Sequence, residues 1–445
     1  MTLATVAVLA LPVGAADASV LFMGGGLTSL QTVRVGNPGN TAEWSGQSYL
    51  GYGPDRLCGT VDYAYNIGRY EVTAGQYTEF LNAVAGVDTY DLYSTRMATS
   101  SCRCMIQRTD ANQDGLYEYS VPSEWANRPV SFVSWGDAAR FANWVHNGQP
   151  LGAQGLATTE DGAYYLNGAT SVQGLLAVTR NTDWRWSIPT EDEWYKAAYH
   201  RNDGLTGNYW DYPTGSDAIP INAVTNPDGG NNANFDYTIN SPYYRTRVGE
   251  FESSRSPYGT YDQGGNVWEW NESIILEGYR GIRGGAFDAS SYLMHASNRD
   301  YIDPSNECYY IGFRLCARVH PGDCNYDGKV NIGDLGIIAA NWGATGRSWN
   351  QGDFNGDGLV NIGDLGVMAG SWGWSAGSTG AVPEPASLLL LLLGAMSACP
   401  RRRQGRCSKQ DEGLISLSMR QRQSSLEGAV AQAAAPAASR TSPSR

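Results

Sequence analysis

Two short segments of the chain carry oxygen-bearing side chains at the spacing of a calcium loop. Each has an acidic or amide residue at its first, third, fifth and twelfth positions and a glycine at its sixth. Calcium binds about six to eight oxygens; such a loop supplies them from those side chains and from the main-chain carbonyl at its seventh position. The predicted calcium ligands are Asp323, Asn325, Asp327, Lys329 and Asp334 in the first loop and Asp353, Asn355, Asp357, Leu359 and Asp364 in the second. Lys329 and Leu359 are expected to contribute only main-chain oxygen.

The two loops form an internal repeat. They lead into the similar apolar segments LGIIAANWG and LGVMAGSWG, and matched copies indicate a structured module over residues 321–375 rather than an acidic linker. The pair resembles a type I dockerin, a small helical module with paired EF-hand-like loops, in which Asp at the twelfth position is usual. Dockerins bind cohesin domains and attach proteins to polysaccharide-degrading assemblies. The contact positions here are Ile332-Gly333 and Ile362-Gly363, where cellulosomal dockerins have polar pairs.

Three helices that must position the rest of the chain begin with a recognisable cap. In each, a hydroxyl residue is followed three positions later by an acidic or amide residue, as in a capping box, and then by an apolar stripe. The pairs are Thr73 with Gln76, Ser134 with Asp137, and Thr190 with Glu193. The stripes predict buried faces. Glu191, Asp192 and Glu193 lie in a first helical turn, where the helix dipole explains acidic residues better than general acid–base catalysis does.

Six sequence blocks place residues 33–319 in a known family by resemblance. They are 65–84, 128–145, 186–199, 261–272, 279–287 and 311–319, and together they resemble the formylglycine-generating enzyme (sulfatase-modifying factor) family. The resemblance implies an α+β, C-type-lectin-like fold with much irregular structure, in which 279–287 and 311–319 are strand candidates. It also implies structural calcium, held by the side chains of Asp262 and Glu269 and the carbonyls of Gly265 and Val267. A second family calcium site corresponds to Asn234 and Phe235.

The family's redox chemistry has no matching ligands in this sequence. Its oxidase binds copper through two cysteines, five residues apart, shortly after an R-G-G block, because Cu(I) prefers sulfur ligands. The corresponding positions are Ala289 and Met294. Related sulfoxide synthases use a histidine-ligated iron, but the four histidines of this chain do not form the H-x-x-x-H-x-E pattern. The sequence therefore yields no candidate catalytic residue, and calcium is the only cofactor it predicts.

Both ends of the chain and its composition indicate export. Residues 1–18 contain an apolar run followed by small residues, typical of a signal peptide. Residues 382–403 combine Pro383-Glu384-Pro385, a short apolar stretch and a basic stop, and resemble a PEP-CTERM sorting signal processed by an exosortase. Residues 376–381 read as a linker and 404–445 as a disordered tail. The net charge of −13 argues against nucleic acid as a partner, and membrane contact is expected only through the sorting segment.

Eight cysteines in an exported chain permit disulfides. Their spacing is not that of a dense disulfide framework, and a bridge between Cys308 and Cys316 is one possibility.

These features favour a secreted or envelope-associated calcium-binding protein whose main domain is a non-catalytic binding or assembly module in extracellular polysaccharide catabolism. Its expected partners are a cohesin-like protein or an extracellular polysaccharide. One alternative is a sulfatase-modifying oxidoreductase of the formylglycine-generating type that uses unrecognised residues. Another is a dockerin-borne component that hydrolyses glycosides.

Overall fold

The computed structural model describes residues 19–21, 30–46, 55–225, 228–325, 329–347, 349–355 and 358–374. The predicted signal peptide, linker, sorting segment and tail lie outside these residues, and so do Asp327 and Asp357 of the calcium loops. Within the described ranges, no helix is both long and apolar enough to cross a bilayer.

Short strands supply most of the framework of the main domain. Their bounds are β1 Ser19–Leu21, β2 Leu30–Val35, β3 Glu43–Ser45, β4 Arg56–Cys58, β5 Tyr65–Gly68, β6 Gln107–Thr109, β7 Glu118–Ser120, β8 Trp186–Ser187, β9 Trp268–Leu276, β10 Tyr279–Arg283, β11 Asp300–Ile302, β12 Ile311–Gly312 and β13 Cys316–Arg318. A five-stranded sheet has the order β1-β2-β5-β13-β8, and a four-stranded sheet has the order β11-β10-β9-β12. All neighbours pair antiparallel except β12, which runs parallel to β9. The pairs β3–β4 and β6–β7 form separate two-stranded sheets.

Three of the helices begin where their caps predict. Their bounds are α1 Ala74–Val84, α2 Arg96–Thr99, α3 Ser123–Ala126, α4 Trp135–His146, α5 Val172–Ala177, α6 Glu191–Tyr199, α7 Ile332–Asn341 and α8 Ile362–Ala369. Complete capping boxes at Thr73, Ser134 and Thr190 open α1, α4 and α6. Each box satisfies first-turn N–H groups that have no partner within the helix. The mixed α and β character expected from the sequence is confirmed.

An aromatic core joins α1 and α4 to the strands. Phe80 of α1 packs against Phe141 of α4 with ring centroids 5.2 Å apart, and Phe141 packs against Phe313 at 5.4 Å. Phe313 lies between β12 and β13, which belong to different sheets. The single strand expected over 311–319 is therefore wrong: the chain leaves one sheet after Gly312 and enters the other at Cys316.

The second strand candidate, 279–287, is shorter than expected. It ends at Arg283 because Gly284 and Gly285 both have positive φ, of 101° and 74°. A strand cannot continue through two left-handed residues.

In the repeat module, each predicted calcium loop pairs with the segment that follows the other repeat's helix. Val330 of the first loop exchanges backbone hydrogen bonds with the end of the second repeat: its N–H donates to Trp374 and its carbonyl accepts from Gly373, both at 2.9 Å. Val360 of the second loop pairs in the same way with Gly343 and Ala344, at 2.8 and 3.2 Å. Each repeat therefore supplies the backbone hydrogen-bond partners of the other repeat's loop.

Two tryptophans of the module contact the main domain or the residues that follow it. The guanidinium of Arg34, on β2, lies 4.1 Å from the ring centroid of Trp349. Trp374 stacks on His320 with centroids 3.6 Å apart. Trp349 also donates from Nε1 to the carbonyl of Asp323 at 3.2 Å, so the start of the first calcium loop is linked to this junction.

Candidate functional site

The position-twelve aspartates of the repeat are buried at the first turns of α7 and α8. Asp334 accepts from the backbone N–H groups of Cys324 and Asn325 on Oδ1, at 2.9 and 3.3 Å, and from that of Asn331 on Oδ2, at 2.9 Å. Asp364 repeats the arrangement with the corresponding three residues. Each carboxylate is thereby held against the first residues of its own loop.

The first-position aspartates, Asp323 and Asp353, are also buried. Both ends of each loop therefore carry buried carboxylates, an arrangement that suits a hard cation. Among the described residues, no three His, Cys, Asp or Glu side chains converge on a metal-sized position. The fifth-position aspartates lie outside those residues, so the ligand set of the repeat stays a prediction.

Three buried carboxylates lie near one another, without converging on one metal-sized position, where the loop before β9 meets the segment before α1. They belong to Glu71, Asp262 and Glu269, and Arg314 lies between the two sheets beside them. Burial and the neighbouring carboxylates raise the pKa of Glu71 well above its ordinary value. Burial also raises the pKa of Asp262, to about 7. Like charges concentrated in this way favour a bound cation.

Two side-chain oxygens at this centre lack a hydrogen-bond partner within the described residues. They are Glu71 Oε2 and Asn234 Oδ1, and both residues are buried. Asn266 connects them, since its Nδ2 donates to Glu71 Oε1 at 2.9 Å and its Oδ1 accepts from Asn234 Nδ2 at 3.0 Å. Buried oxygens without donors are costly, and calcium is an ion that satisfies several oxygens at once.

The four main-domain residues predicted to bind calcium lie together, but they do not all present free oxygens. Both oxygens of Glu269 are engaged by Arg314, at 2.5 and 2.6 Å, and Oε2 also accepts from Trp194 Nε1 at 2.7 Å. Asp262 accepts from the Gly249 N–H at 2.6 Å. Gly265 has φ +79°, and a Cβ there would collide with the Asn234 carbonyl. The carbonyls of Gly265 and Val267 belong to this same turn, directly before β9.

Sequence reasoning missed Glu71. The only local signal was an acidic residue between Tyr70 and Val72, directly before the cap of a buried helix. Burial of an unpaired glutamate is rare, and a sequence does not show which side of an irregular segment faces inwards.

The positions that hold cysteines in the family's oxidase are occupied by small or apolar side chains. Met294 ends a 3₁₀ turn, Ser291–Met294, and is fully buried in a cluster with Tyr212, Ala233 and Phe235. Ala289 is also buried, and its carbonyl accepts from the Asp236 N–H at 2.9 Å. A methyl group and a packed thioether stand at these positions.

A cluster of rings lies beside Ala289, and we call it the aromatic face. Phe287 is at its centre, with ring centroids 5.9 Å from Tyr237, 5.4 Å from Tyr244 and 6.0 Å from Tyr309. Asp288 accepts a hydrogen bond from the Tyr309 hydroxyl at 2.9 Å. The aromatic face thus combines rings, phenol hydroxyls and one carboxylate.

Backbone strain concentrates around the aromatic face. Apart from Asn, Asp and Gln, the described non-glycine residues with positive φ are Met105 (65°), Phe132 (63°), Tyr237 (56°) and Tyr244 (56°). Such a conformation costs a bulky residue roughly 1–3 kcal/mol and persists only where the surroundings impose it. Two of the four are rings of the aromatic face. Phe132 is bonded to the segment that precedes Tyr309, through the Cys308 carbonyl at 2.9 Å.

Arg245 holds the base of the aromatic face in place. Its buried guanidinium donates to the carbonyls of Tyr309, Cys102 and Arg103, at 2.9, 3.0 and 2.7 Å. The loop that contains Met105 is thereby joined to the turn that contains Tyr309. Burial lowers the pKa of Arg245.

The acidic first turn of α6 caps the helix through Glu193, as expected, and it also pairs with arginines through Glu191, which the sequence did not predict. Glu191 forms salt bridges with Arg299 at 2.7 Å, Arg283 at 2.8 Å and Arg56 at 2.9 Å. Although burial opposes ionisation, Arg283 and Arg299 hold the pKa of Glu191 at about 2. A permanently ionised carboxylate among arginines is not a general acid, so this group is structural.

The cysteines of the described residues form no disulfide. Cys58, Cys102, Cys104, Cys308, Cys316 and Cys324 are all free thiols. The possible Cys308–Cys316 bridge is therefore absent, and the Cys316 thiol lies 3.1 Å from the Ser187 hydroxyl instead.

With this geometry established, the comparison with known proteins decides the family. The sequence pattern of the sulfatase-modifying factor enzyme 1-like domain matches residues 34–319. The chain belongs to this family. The bounds of the match differ by one residue from those expected for the main domain, 33–319. The match includes the loop before β9, the aromatic face and both positions that hold cysteines in the family's oxidase.

The relatives of this sulfatase-modifying factor domain are distant. Hercynine oxygenase from Mycolicibacterium thermoresistibile is 29% identical over 151 residues, which is 29% of this chain and 31% of that protein. The chain therefore spans less than a third of the length of this curated relative.

Two similar solved structures each share less than a fifth of their sequence with this chain. Treponema denticola variable protein 1 is 18% identical, with a TM-score of 0.43 and coverage of 68% of this chain and 100% of that one. PvdO from Pseudomonas aeruginosa is 19% identical, with a TM-score of 0.38 and coverage of 68% and 100%.

Proposed function

We propose that this protein is exported, binds calcium in its main domain and in its repeat module, and serves as a binding module in extracellular polysaccharide catabolism. In this proposal the sulfatase-modifying factor domain keeps the family scaffold without the family's thiol chemistry. The C-terminal segment at 382–403 directs the protein to the cell envelope after exosortase processing. The repeat module is a dockerin that recruits a cohesin-like partner.

Calcium in the main domain is supported by the two orphaned buried oxygens, Glu71 Oε2 and Asn234 Oδ1. In this proposal Asp262, Gly265, Val267 and Glu71 hold the ion by side chain or carbonyl. Glu269 contributes through its charge, because its oxygens are engaged by Arg314 and Trp194. The ion supplies rigidity: it neutralises the carboxylates and fixes the turn before β9.

The non-catalytic role rests on one observation, the side chains at positions 289 and 294. Oxidising a thiol with molecular oxygen needs a metal or another cofactor, and the family's copper is held by two thiolates. Here a methyl group and a fully buried thioether stand in their place. A single packed thioether is a weak metal ligand.

Two assays test this role together. The purified protein is reconstituted with Cu(I) and a reductant and offered a sulfatase-type cysteine peptide, and mass spectrometry follows conversion of the thiol to an aldehyde. Elemental analysis of the protein as purified measures calcium, copper and iron. We expect calcium without copper or iron, and no aldehyde. Turnover of the peptide would overturn the proposal.

An oxidoreductase is the second candidate, and family membership favours it. One similar protein carries the name hercynine oxygenase. Cys308 and Cys102 are partly exposed free thiols of the main domain. If they formed a copper site at a new position, Cys308→Ser would abolish Cu(I) binding. If the domain is a non-catalytic binding module, the substitution should have no effect on its function. The third candidate, a glycoside hydrolase, has no supporting site in the described residues.

A further inference from the structure

We infer that the aromatic face, in which the exposed Tyr237 and the half-buried Tyr244 and Tyr309 surround the fully buried Phe287, is a binding site for neutral polysaccharide. This inference rests on the proposed function, because it assigns the surface and the ligand class of the binding module. The site is distinct from the calcium loops and from the buried ion pairs of α6.

Backbone strain at the aromatic face gives the first argument. Tyr237 and Tyr244 adopt positive φ, which a tyrosine avoids and a glycine accepts. Tyr237 is 48% exposed, so burial of its ring does not compensate fully for the conformation. Its N–H bonds to the Phe287 carbonyl at 2.7 Å, and the preceding Asp236 N–H bonds to Ala289. Backbone strain that is maintained in this way at an exposed ring indicates that the ring itself takes part in ligand binding.

The chemistry of the aromatic face gives the second argument. A pyranose presents an apolar C–H face, which packs on an aromatic ring, and a rim of hydroxyls. Tyrosine suits this ligand because its rigid ring supplies contact area at little cost in conformational entropy and its hydroxyl forms hydrogen bonds. The Asp288 carboxylate, oriented by the Tyr309 hydroxyl, is an acceptor for sugar hydroxyls.

Charge and size select a neutral glycan over other partners. The carboxylates of Asp236 and Asp288 lie near the Tyr237 ring, and the whole chain carries a net charge of −13. Both disfavour a polyanionic glycan. A stable protein partner buries about 800 Å² on each side around an apolar centre, whereas Tyr237 is the one exposed large ring of this face. A few sugar rings match that area better.

The test is affinity electrophoresis of the full exported chain in gels that contain hydroxyethyl cellulose, xylan or mannan, with polygalacturonate as the anionic probe. We expect retardation by at least one neutral polymer and none by polygalacturonate. Tyr237→Gly should weaken that retardation about tenfold or more, as loss of a central aromatic anchor does. Tyr309→Phe, which removes the hydroxyl that orients Asp288, should weaken it several-fold. The matched control is Tyr165→Ala, since Tyr165 is 54% exposed and outside the aromatic face.

Thermal melting of the same variants separates binding from packing. Glycine accepts a φ of +56°, so Tyr237→Gly should leave Tm unchanged or raise it while binding is lost. A lower Tm with unchanged retardation would show that the ring is packing and overturn the inference. If neutral polymers retard the wild type and Tyr237→Gly equally, the assignment of the aromatic face as the binding site is wrong, but the proposal that the protein is a binding module is retained. If no neutral polymer retards the wild type, or only polygalacturonate does, the inference fails.

Discussion

At the scale of single residues, the charge of Glu71 determines whether the loop before β9 can bind a cation. Its carboxylate is buried against those of Asp262 and Glu269, and Arg314 satisfies Glu269 in particular. Without a cation, this concentration of like charge destabilises the fold. With a cation bound, the same carboxylates attract the ion and stabilise the fold.

Glu71→Gln should therefore change stability in opposite directions with and without calcium. In chelator, the variant should melt above the wild type, because the wild type must either protonate Glu71 or keep its charge buried, and glutamine requires neither. In excess calcium the order should reverse, since the wild type gains more from the bound ion. Differential scanning calorimetry in the two buffers measures both, with the exposed Glu118→Gln as the control. An equal shift in both buffers would argue against a calcium ligand at this position.

His146, at the end of α4, gives a pH-dependent prediction. Burial and the neighbouring Arg185 lower its pKa to about 4, from an ordinary 6.5, and its Nδ1 accepts from the Arg185 N–H at 3.2 Å. Because the folded pKa is depressed, the unfolded chain binds the proton more readily. Stability is therefore full above pH 6.5 and is lost as the pH falls towards 4, by up to roughly 3 kcal/mol.

The comparison with His146→Asn isolates this effect, because asparagine accepts the same backbone hydrogen bond and does not titrate in this range. Urea unfolding at a series of pH values should show the wild type losing free energy of unfolding relative to the variant between pH 6.5 and 4. His295→Asn, at a partly exposed site, serves as the control. A difference that stays constant with pH would contradict the assignment.

At the scale of elements, helix α6 depends on Glu191. Three arginines converge on this carboxylate, and the side chains of Arg283 and Arg299 are almost fully buried. Glu191→Gln should destabilise the domain by roughly 3–5 kcal/mol, because it leaves buried positive charge without a partner. Glu307→Gln removes one member of an exposed pair with Arg96 and should cost less than about 1 kcal/mol. Denaturant unfolding compares the two; similar losses would mean that the buried pairs contribute no more than surface ones.

The elements also show how far the sequence predicts this molecule and where it stops. Helices α1, α4 and α6 were predictable because a capping box and an apolar stripe are local patterns. The split of 311–319 between two sheets was not, because strand partners such as β5 and β9 come from distant parts of the chain. The aromatic face was missed for the same reason. Its rings come from residues 237–309, and positive φ at a tyrosine has no sequence signature.

At the scale of the whole molecule, the reciprocal pairing of the repeats connects the predicted calcium loops to the junction with the main domain. The carbonyl of Lys329 is a predicted ligand, and the next residue, Val330, pairs with Gly373 and Trp374. Trp374 in turn stacks on His320. The first predicted calcium loop is therefore linked through two backbone hydrogen bonds to the far end of the second repeat.

This linkage predicts a crosswise response to loss of one calcium loop. Metal binding and folding are coupled in small ion-dependent modules, so chelator should expose most of residues 321–375 to hydrogen exchange. In calcium, Asp334→Asn should release residues 371–374 because Val330 no longer holds them, while Asp364→Asn should release 342–345 through Val360. Hydrogen exchange of the full chain, read by mass spectrometry, resolves these peptides. The two variants control for each other, since each aspartate makes the same three N–H contacts in its own repeat. If each substitution loosened only its own repeat, the reciprocal pairing would not transmit calcium binding, and the tryptophan contacts with Arg34 and His320 would be independent of the ions.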